Sequence, residues 1–484
     1  MIISAPQSLR NANAAGPLRA ALLLAILIAT PAAWAAAPAP EPASLPSGPS
    51  AAAAPSDRAP TDALARWQAM KLGLFIHFGP WSQTGHGSIW DIALDPDPTR
   101  KQSWFDLFKT FNPRSLDASQ WAKLARTAGC KYVMFTTKHH DGFCLFDTHL
   151  TPFRITAPEC PYSAAPNPDI TRQIADSFRA QGLAVGLYYS NLDWHALPAG
   201  FTDSGKLDPR FPITHPTEWK QFVTFMNGQV QELLTGYGRI DEFWFDIPWP
   251  DPIADYFLPM MQTMRRLQPR VIINDRAPDQ FADFTTFEQE IPTHPVAGPW
   301  ETCMTISEGT GFWYKGSDAK YKSARQLVRL LAETCAKGGN LLLNIGPRGD
   351  GTLAPEEIDR LAALGAWLSD NGQAIYHTTR GPDWPEPWGA ITRQGQRLYL
   401  IDVDPPAAGQ SLVVAASMVP SRATLLSNGQ ALTVRPHPGG FEIDLPAAPP
   451  ASLATVITAD FTGDLDAAVT TAPTSAIPAA PSAR

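Results

Sequence analysis

Asp241-Glu242-Phe243-Trp244-Phe245-Asp246-Ile247-Pro248-Trp249-Pro250 carries the clearest local signal in the chain. Three consecutive aromatics make a run too short for a helix and right for a strand buried on both faces. The run ends on a carboxylate, and Pro248 stops the ladder from continuing. An acidic side chain therefore stands at the C-terminal mouth of a strand, among rings that exclude water. Asp246 reads as a catalytic nucleophile. Taken alone it would better suit the cap of a following helix, and it is the rest of the chain that reverses this.

On either side, strands and helices alternate. Gly73-Leu74-Phe75-Ile76-His77-Phe78-Gly79 reads as a first strand, followed by a helix over 117–128 and the strand Tyr132-Val133-Met134-Phe135-Thr136. A helix over 170–181 leads to Ala184-Val185-Gly186-Leu187-Tyr188-Tyr189, and one over 218–234 to the strand at Phe243. Beyond it come a helix over 254–267, Val271-Ile272-Ile273-Asn274, a helix over 324–337, Leu341-Leu342-Leu343-Asn344-Ile345 and a helix over 355–370. This rhythm implies parallel strands joined by right-handed crossovers. Seven or so units within 61–379 suit a closed (β/α)8-like, TIM-type barrel, and no GxGxxG turn follows the first strand to suggest a dinucleotide site. A barrel places its chemistry where strands end. His77, His139-His140-Asp141, Tyr188 and Ser190, Asp246, and Asp275-Arg276 all fall there, and Glu288 closes a further short candidate strand. From 380 to 461 the pattern becomes short alternating runs separated by turns such as Asn428-Gly429, the mark of a small antiparallel β-sandwich. With few aromatics beyond Trp384 and Trp388, it reads as a buttress rather than a sugar-binding module.

The chain of 484 residues carries a formal charge of −8 without runs of one sign, which argues against a nucleic-acid or anionic-membrane partner. Arg10 and Arg19, the apolar residues 20–28 and Ala33-Trp34-Ala35 have the layout of a secretory signal peptide, cleaved after Ala35. The protein is thus expected to be secreted or periplasmic, with no membrane association once residues 1–35 are removed. An Ala/Pro/Ser tether over 36–60 and a disordered Ala/Thr/Pro tail over 462–484 complete the expected layout. Five cysteines lack paired metal-type spacing; Cys144 and Cys160 suit a bridge in an exported protein, while buried small hydrophobes suit all five better. Oligomeric state is left open.

Glycoside cleavage needs two carboxylates, one attacking or stabilising the sugar's C1 and one protonating the leaving oxygen. Asp246 and Glu288 are the pair to assign, with His77, His139 and His140 as partners for sugar hydroxyls. No cofactor is required. A metal hydrolase is the rival chemistry, using the histidines with Asp141 and Asp246, but adjacent His-His seldom aims both rings at one ion and no His-Glu-x-x-His pattern occurs.

Several blocks resemble α-L-fucosidases of glycoside hydrolase family twenty-nine. They include Lys71-Leu72-Gly73-Leu74-Phe75-Ile76-His77-Phe78-Gly79, Thr137-Lys138-His139-His140-Asp141-Gly142-Phe143 and Lys337-Gly338-Gly339-Asn340-Leu341-Leu342-Leu343-Asn344. Gly186-Leu187-Tyr188-Tyr189-Ser190, Asn274-Asp275-Arg276 and Phe287-Glu288-Gln289 before Trp300-Glu301-Thr302-Cys303 agree as well. The resemblance runs in order over about 67–376. It implies a retaining exo-α-L-fucosidase acting on terminal fucose of a fucosylated oligosaccharide or glycoconjugate, with Asp246 as nucleophile and Glu288 as acid/base. It further implies a fucose pocket of His77, Trp90, His139, His140, Tyr188, Trp244, Arg276 and Phe312. One departure stands out: where many members carry Gly-Ser-Glu-Trp, this chain has Gly87-Ser88-Ile89-Trp90 and lacks that carboxylate. The alternative it leaves open is a fucose-binding barrel that has lost catalysis.

Overall fold

The computed structural model describes residues 56–85, 89–250, 253–294, 296–309, 311–384, 387–404, 411–446, 453–463 and 465. The expected signal peptide, most of the tether and nearly all of the tail lie outside these residues. Eight parallel strands form the central sheet: β1 (Leu72–Ile76), β2 (Tyr132–Lys138), β3 (Ala184–Ser190), β4 (Glu242–Asp246), β5 (Ile272–Ile273), β6 (Thr285–Glu288), β7 (Trp300–Thr305) and β8 (Asn340–Ile345). Their order is β5-β4-β3-β2-β1-β8-β7-β6. The two ends meet at one further parallel bridge, Asn274 to Phe284, closing the sheet into a barrel.

Seven of these strands correspond to runs legible in the sequence. The eighth, β7, is interrupted by Glu301, Thr302 and Thr305, which hides it from a hydrophobicity reading. All three are fully buried because the barrel supplies partners: Glu301 accepts from the Tyr132 hydroxyl, and the Thr302 and Thr305 hydroxyls donate to the Glu290 and Ser307 carbonyls at 2.7 and 2.8 Å. Three of the outer helices start on side-chain caps. Asp117 caps Ala118–Thr127, Asp169 caps Ile170–Ala180, and Ser323 with Gln326 forms a capping box on Ala324–Ala336.

Inside the barrel, alternate residues of each strand face the axis. Gly73 lies directly under the Tyr132 ring, where a β-carbon would sit 2.4 Å from ring atoms, so only glycine lets that ring fill the floor. Trp67, from the helix Thr61–Gln68, plugs the same end and donates its indole N–H to Glu242 at 2.9 Å. Burial pushes the Glu242 carboxyl above its usual range. It pushes Glu301 still further, with Glu242's charge adding to the rise, so this floor retains a proton near neutral pH.

The C-terminal unit holds nine strands among the described residues: β9 (Thr379–Arg380), β10 (Gly389–Gln394), β11 (Arg397–Asp402), β12 (Ser411–Ala415), β13 (Arg422–Leu425), β14 (Ala431–Leu432), β15 (Val434–His437), β16 (Gly440–Asp444) and β17 (Thr455–Asp460). They form an antiparallel six-stranded sheet, β14-β13-β17-β11-β10-β9, facing a three-stranded one, β12-β16-β15. Trp384 and Trp388 are only 4% and 7% exposed within the sandwich core, so neither presents a face to a sugar. The sandwich is tied to the barrel by Trp367, whose indole donates to the Ala454 carbonyl at 3.1 Å, and by the Arg329–Asp404 ion pair. All five cysteines are free and buried. The bridge considered for Cys144 and Cys160 is not formed: the Cys144 thiol faces the Gly142 carbonyl at 3.5 Å and the Cys160 thiol the Phe111 carbonyl at 3.4 Å.

Candidate active site

At the C-terminal ends of the strands lies a cavity of about 310 Å3. Phe75 and His77 reach it from β1, His139 and His140 from the end of β2, and Trp244, Asp246 and Ile247 from β4. Glu288 and Cys303 enter from β6 and β7, Phe312 and Trp313 from the loop after β7, and Ile89 and Trp90 from the segment after β1.

The Asp246 carboxylate is held at both oxygens. The buried Tyr188 hydroxyl donates to Oδ2 at 2.7 Å, and the Ile247 N–H donates to Oδ1 at 2.8 Å. Ile247 itself takes the left-handed conformation, φ 62°, which a β-branched residue rarely adopts. Asn191 stabilises that turn, with its side-chain amide on the Ile247 carbonyl at 2.7 Å and its backbone N–H on the Asp246 carbonyl at 3.1 Å. Glu288 ends its strand in the same way, followed by Gln289 at φ 56°, whose N–H bonds the Cys303 carbonyl at 2.9 Å.

The two carboxylates have different surroundings. Loss of solvation is the main cause raising the Glu288 pKa, Asp246's charge adds to it, and the Arg276 cation opposes both. Because the Glu288 side chain still meets solvent in the open cavity, a bound sugar would strengthen the rise by displacing that water. Asp246, by contrast, has two donors fixed on it.

The histidines are buried and neutral. Burial drives His77 down to about 3 and His140 to about 4, and pushes His139 well below its usual value. The His77 tautomer follows from its neighbours. The Asn344 amide nitrogen donates to the Phe312 carbonyl at 2.6 Å, so its oxygen faces His77 Nδ1, also at 2.6 Å. Nδ1 therefore carries the proton and Nε2 is left as an acceptor. His140 Nδ1 lies 2.6 Å from Ser190 Oγ, and its Nε2 lies 3.6 Å from Asp246 Oδ2. His139 stacks on the Tyr188 ring, centroids 5.2 Å apart. Contrary to the sequence expectation for adjacent histidines, His139, His140 and Asp246 bring one ligand-type atom each within 4.8 Å of one another.

Of the eight pocket residues expected from the resemblance, six line the cavity: His77, Trp90, His139, His140, Trp244 and Phe312. Tyr188 stands behind Asp246 as its donor, and Arg276, paired with Asp275 at 2.9 Å, acts on Glu288. Phe312 stacks on His77 at 4.8 Å, and Trp244 on Tyr188 at 5.4 Å. Trp90 lies against His140 and Trp194, and Trp194 donates to the Gly205 carbonyl at 3.0 Å, so the long loop after β3 packs onto this wall. Sequence reasoning did not assign Ile247, Trp313 or Asn344 to the site. Asn344 was within reach as a strand-end residue; the other two carry no such signal.

The family model described as alpha-L-fucosidase matches residues 48–373. The alpha-L-fucosidase isoenzyme 1 of Paenibacillus thiaminolyticus is 32% identical, with a TM-score of 0.71 covering 83% of this chain and 99% of that one. A Bacteroides thetaiotaomicron alpha-L-fucosidase, solved as a trapped covalent intermediate with 2-fluoro-fucosyl fluoride, is 26% identical with a TM-score of 0.71, covering 83% and 97%. Human plasma alpha-L-fucosidase is 28% identical over 409 residues, 78% of this chain and 84% of that protein. A match spanning the whole barrel, joined to two differently solvated carboxylates at its strand ends, places the chain in the α-L-fucosidases of glycoside hydrolase family 29.

Proposed function

We propose that the protein is a retaining exo-α-L-fucosidase in which Asp246 is the nucleophile and Glu288 the acid/base. The observation that carries the assignment is a single cavity receiving both carboxylates, one held by two donors and the other raised by partial loss of solvation and by its neighbour's charge. Its volume suits one terminal sugar with its linkage rather than an internal chain segment. Ionised Asp246 attacks C1 of the α-linked fucose while Glu288 gives its proton to the leaving oxygen. Glu288, now ionised, takes a proton from water, which opens the β-configured ester at C1 and releases α-L-fucose. His77 Nε2 accepts a hydrogen bond from a sugar hydroxyl, and Phe75, Trp244 and Phe312 give the 6-methyl group an apolar wall. Terminal fucose on an oligosaccharide or glycoconjugate is the substrate class.

Replacement of Asp246 by Gly tests this directly. Hydrolysis of a nitrophenyl α-L-fucoside should fall by about three orders of magnitude or more, and added azide should restore turnover as a fucosyl azide. Full activity in that variant would reject the nucleophile, and would equally separate an enzyme from a binding protein of the same fold. Undiminished hydrolysis after chelation would set aside a metal-dependent mechanism. We further propose that the protein is exported, supported by the basic, apolar and small-residue layout of residues 1–35. Among the described residues no helix is long and apolar enough to cross a membrane. A mature chain starting at Ala36, read by N-terminal sequencing, is the expected product.

A further inference from the structure

We propose that the empty pocket also captures a borderline divalent cation, zinc(II) or copper(II), on His139, His140 and Asp246, and that the ion excludes the sugar and switches hydrolysis off reversibly. The cation site stands on geometry alone; only its inhibitory consequence rests on the role given to Asp246.

The His140–Asp246 pair is nearly preformed. Nε2 and Oδ2 are 3.6 Å apart, and two ligands at zinc-like bond lengths on a tetrahedral ion are separated by roughly 3.3–3.5 Å. A shift of a few tenths of an ångström admits the ion. The other nitrogen of His140 is already set for this. Ser190 Oγ receives the Leu192 N–H at 3.0 Å and lies 2.6 Å from His140 Nδ1. A hydroxyl with two acceptor sites can hold both donors at once, so the tautomer with the proton on Nδ1 and Nε2 bare is open to His140 and is the one an ion on Nε2 selects. Metal-binding imidazoles are oriented by the same kind of outer partner.

His139 is the adjustable third ligand. The three candidate atoms lie within 4.8 Å of one another, so closing the triangle takes a contraction of up to roughly 1.5 Å. Among the described residues its Nδ1 has no hydrogen-bond partner, so no bond at that nitrogen opposes the movement. Two imidazole nitrogens and one carboxylate oxygen favour zinc or copper over magnesium and calcium, which prefer all-oxygen shells. The open cavity beside the three groups leaves a fourth position for water. An ion there ties up the oxygen that would attack C1 and fills the space the sugar ring needs.

Calorimetric titration of the metal-free full chain with zinc chloride tests the site without any turnover. We expect one ion per chain that Asp246→Asn weakens about tenfold or more, that Ser190→Ala also weakens, and that excess L-fucose displaces. In steady-state assays zinc should raise KM for a nitrophenyl fucoside at unchanged kcat, chelator should reverse the effect, and magnesium at equal concentration should do nothing. Zinc binding indifferent to Asp246→Asn and to fucose, or no binding at all, would overturn the proposal. An active enzyme insensitive to zinc would remove the cation site alone. A protein that binds zinc through Asp246 yet cleaves no fucoside would remove the proposed reaction alone.

Discussion

Keeping His77 neutral inside the pocket should make the protein measurably weaker in mild acid. In the unfolded chain a histidine titrates near 6.5; in the fold burial holds His77 to about 3. Its folded pKa is depressed, so its contribution is fully present above pH 6.5 and is lost as pH falls toward 3, because the unfolded chain takes up a proton that the fold refuses. At pH 5 the loss is about 2 kcal/mol relative to pH 8. His140, held to about 4, adds a loss of similar size. Other buried groups work in the opposite sense. Asp141 and Glu357, both pushed up to about 7 by burial, make the fold more stable as pH falls through that range. The slope of the wild type alone is therefore a balance, and the informative quantity is a difference of differences. Urea unfolding of wild type and His77→Gln at pH 8 and pH 5 should show the acid loss about 2 kcal/mol smaller in the variant, since the groups common to both cancel. A difference below about 0.5 kcal/mol would mean that His77 is not held neutral by burial, and the acceptor role given to its Nε2 would fall with it.

Asn344→Leu removes the amide that fixes the His77 tautomer while keeping side-chain volume; kcat/KM should drop about 10–100-fold, with a native circular dichroism spectrum separating this from misfolding. Glu288→Gln should slow substrates with poor leaving groups far more than an activated aryl fucoside, and should abolish the alkaline limb of the pH–rate profile, where the wild type loses its proton donor as pH rises past the raised Glu288 pKa. Lys138 and Asp193 form a fully buried ion pair at 3.0 Å beneath the loop that carries Trp194. Lys138→Met strands the Asp193 charge and should cost about 3–5 kcal/mol in denaturant unfolding, while the double variant Lys138→Met/Asp193→Leu should regain a good part of that.

The barrel and much of its site were legible because strand ends carry both signals at once, an apolar run and the polar residue that closes it. Asp246 after Phe243-Trp244-Phe245 and His77 after Leu74-Phe75-Ile76 are of this kind. β7 was not legible, since its Glu and Thr residues are paid for by partners far away in sequence, such as Tyr132 and Glu290. β5 shrinks to Ile272–Ile273 because Asn274 turns its side chain to the Phe245 backbone, donating to the carbonyl at 2.8 Å and accepting from the N–H at 2.9 Å. The left-handed turns at Ile247 and Gln289 run against local preference and are stable only through tertiary bonds, so composition gives no hint of them. In the sandwich, β15 contains Pro436, a residue that argues against strand, yet it survives at a sheet edge where its missing N–H costs nothing.

The junction between β5 and β6 has a mechanical consequence. Six neighbouring pairs of staves are laced over at least four residues and β4–β5 over two, whereas this one is stitched at Asn274–Phe284, with Asp283 clasping the Ile273 N–H and the Arg265 guanidinium, each at 2.8 Å. Residue 246 lies on the firmly laced side and residue 288 on the other, so the distance between attacking and proton-giving oxygens is set across the slackest seam of the cylinder. Amide exchange should therefore be quicker along Thr285–Glu288 than along Glu242–Asp246. A cross-link placed over that seam would hold the reacting span at one width, and so test whether one span serves both halves of the double displacement.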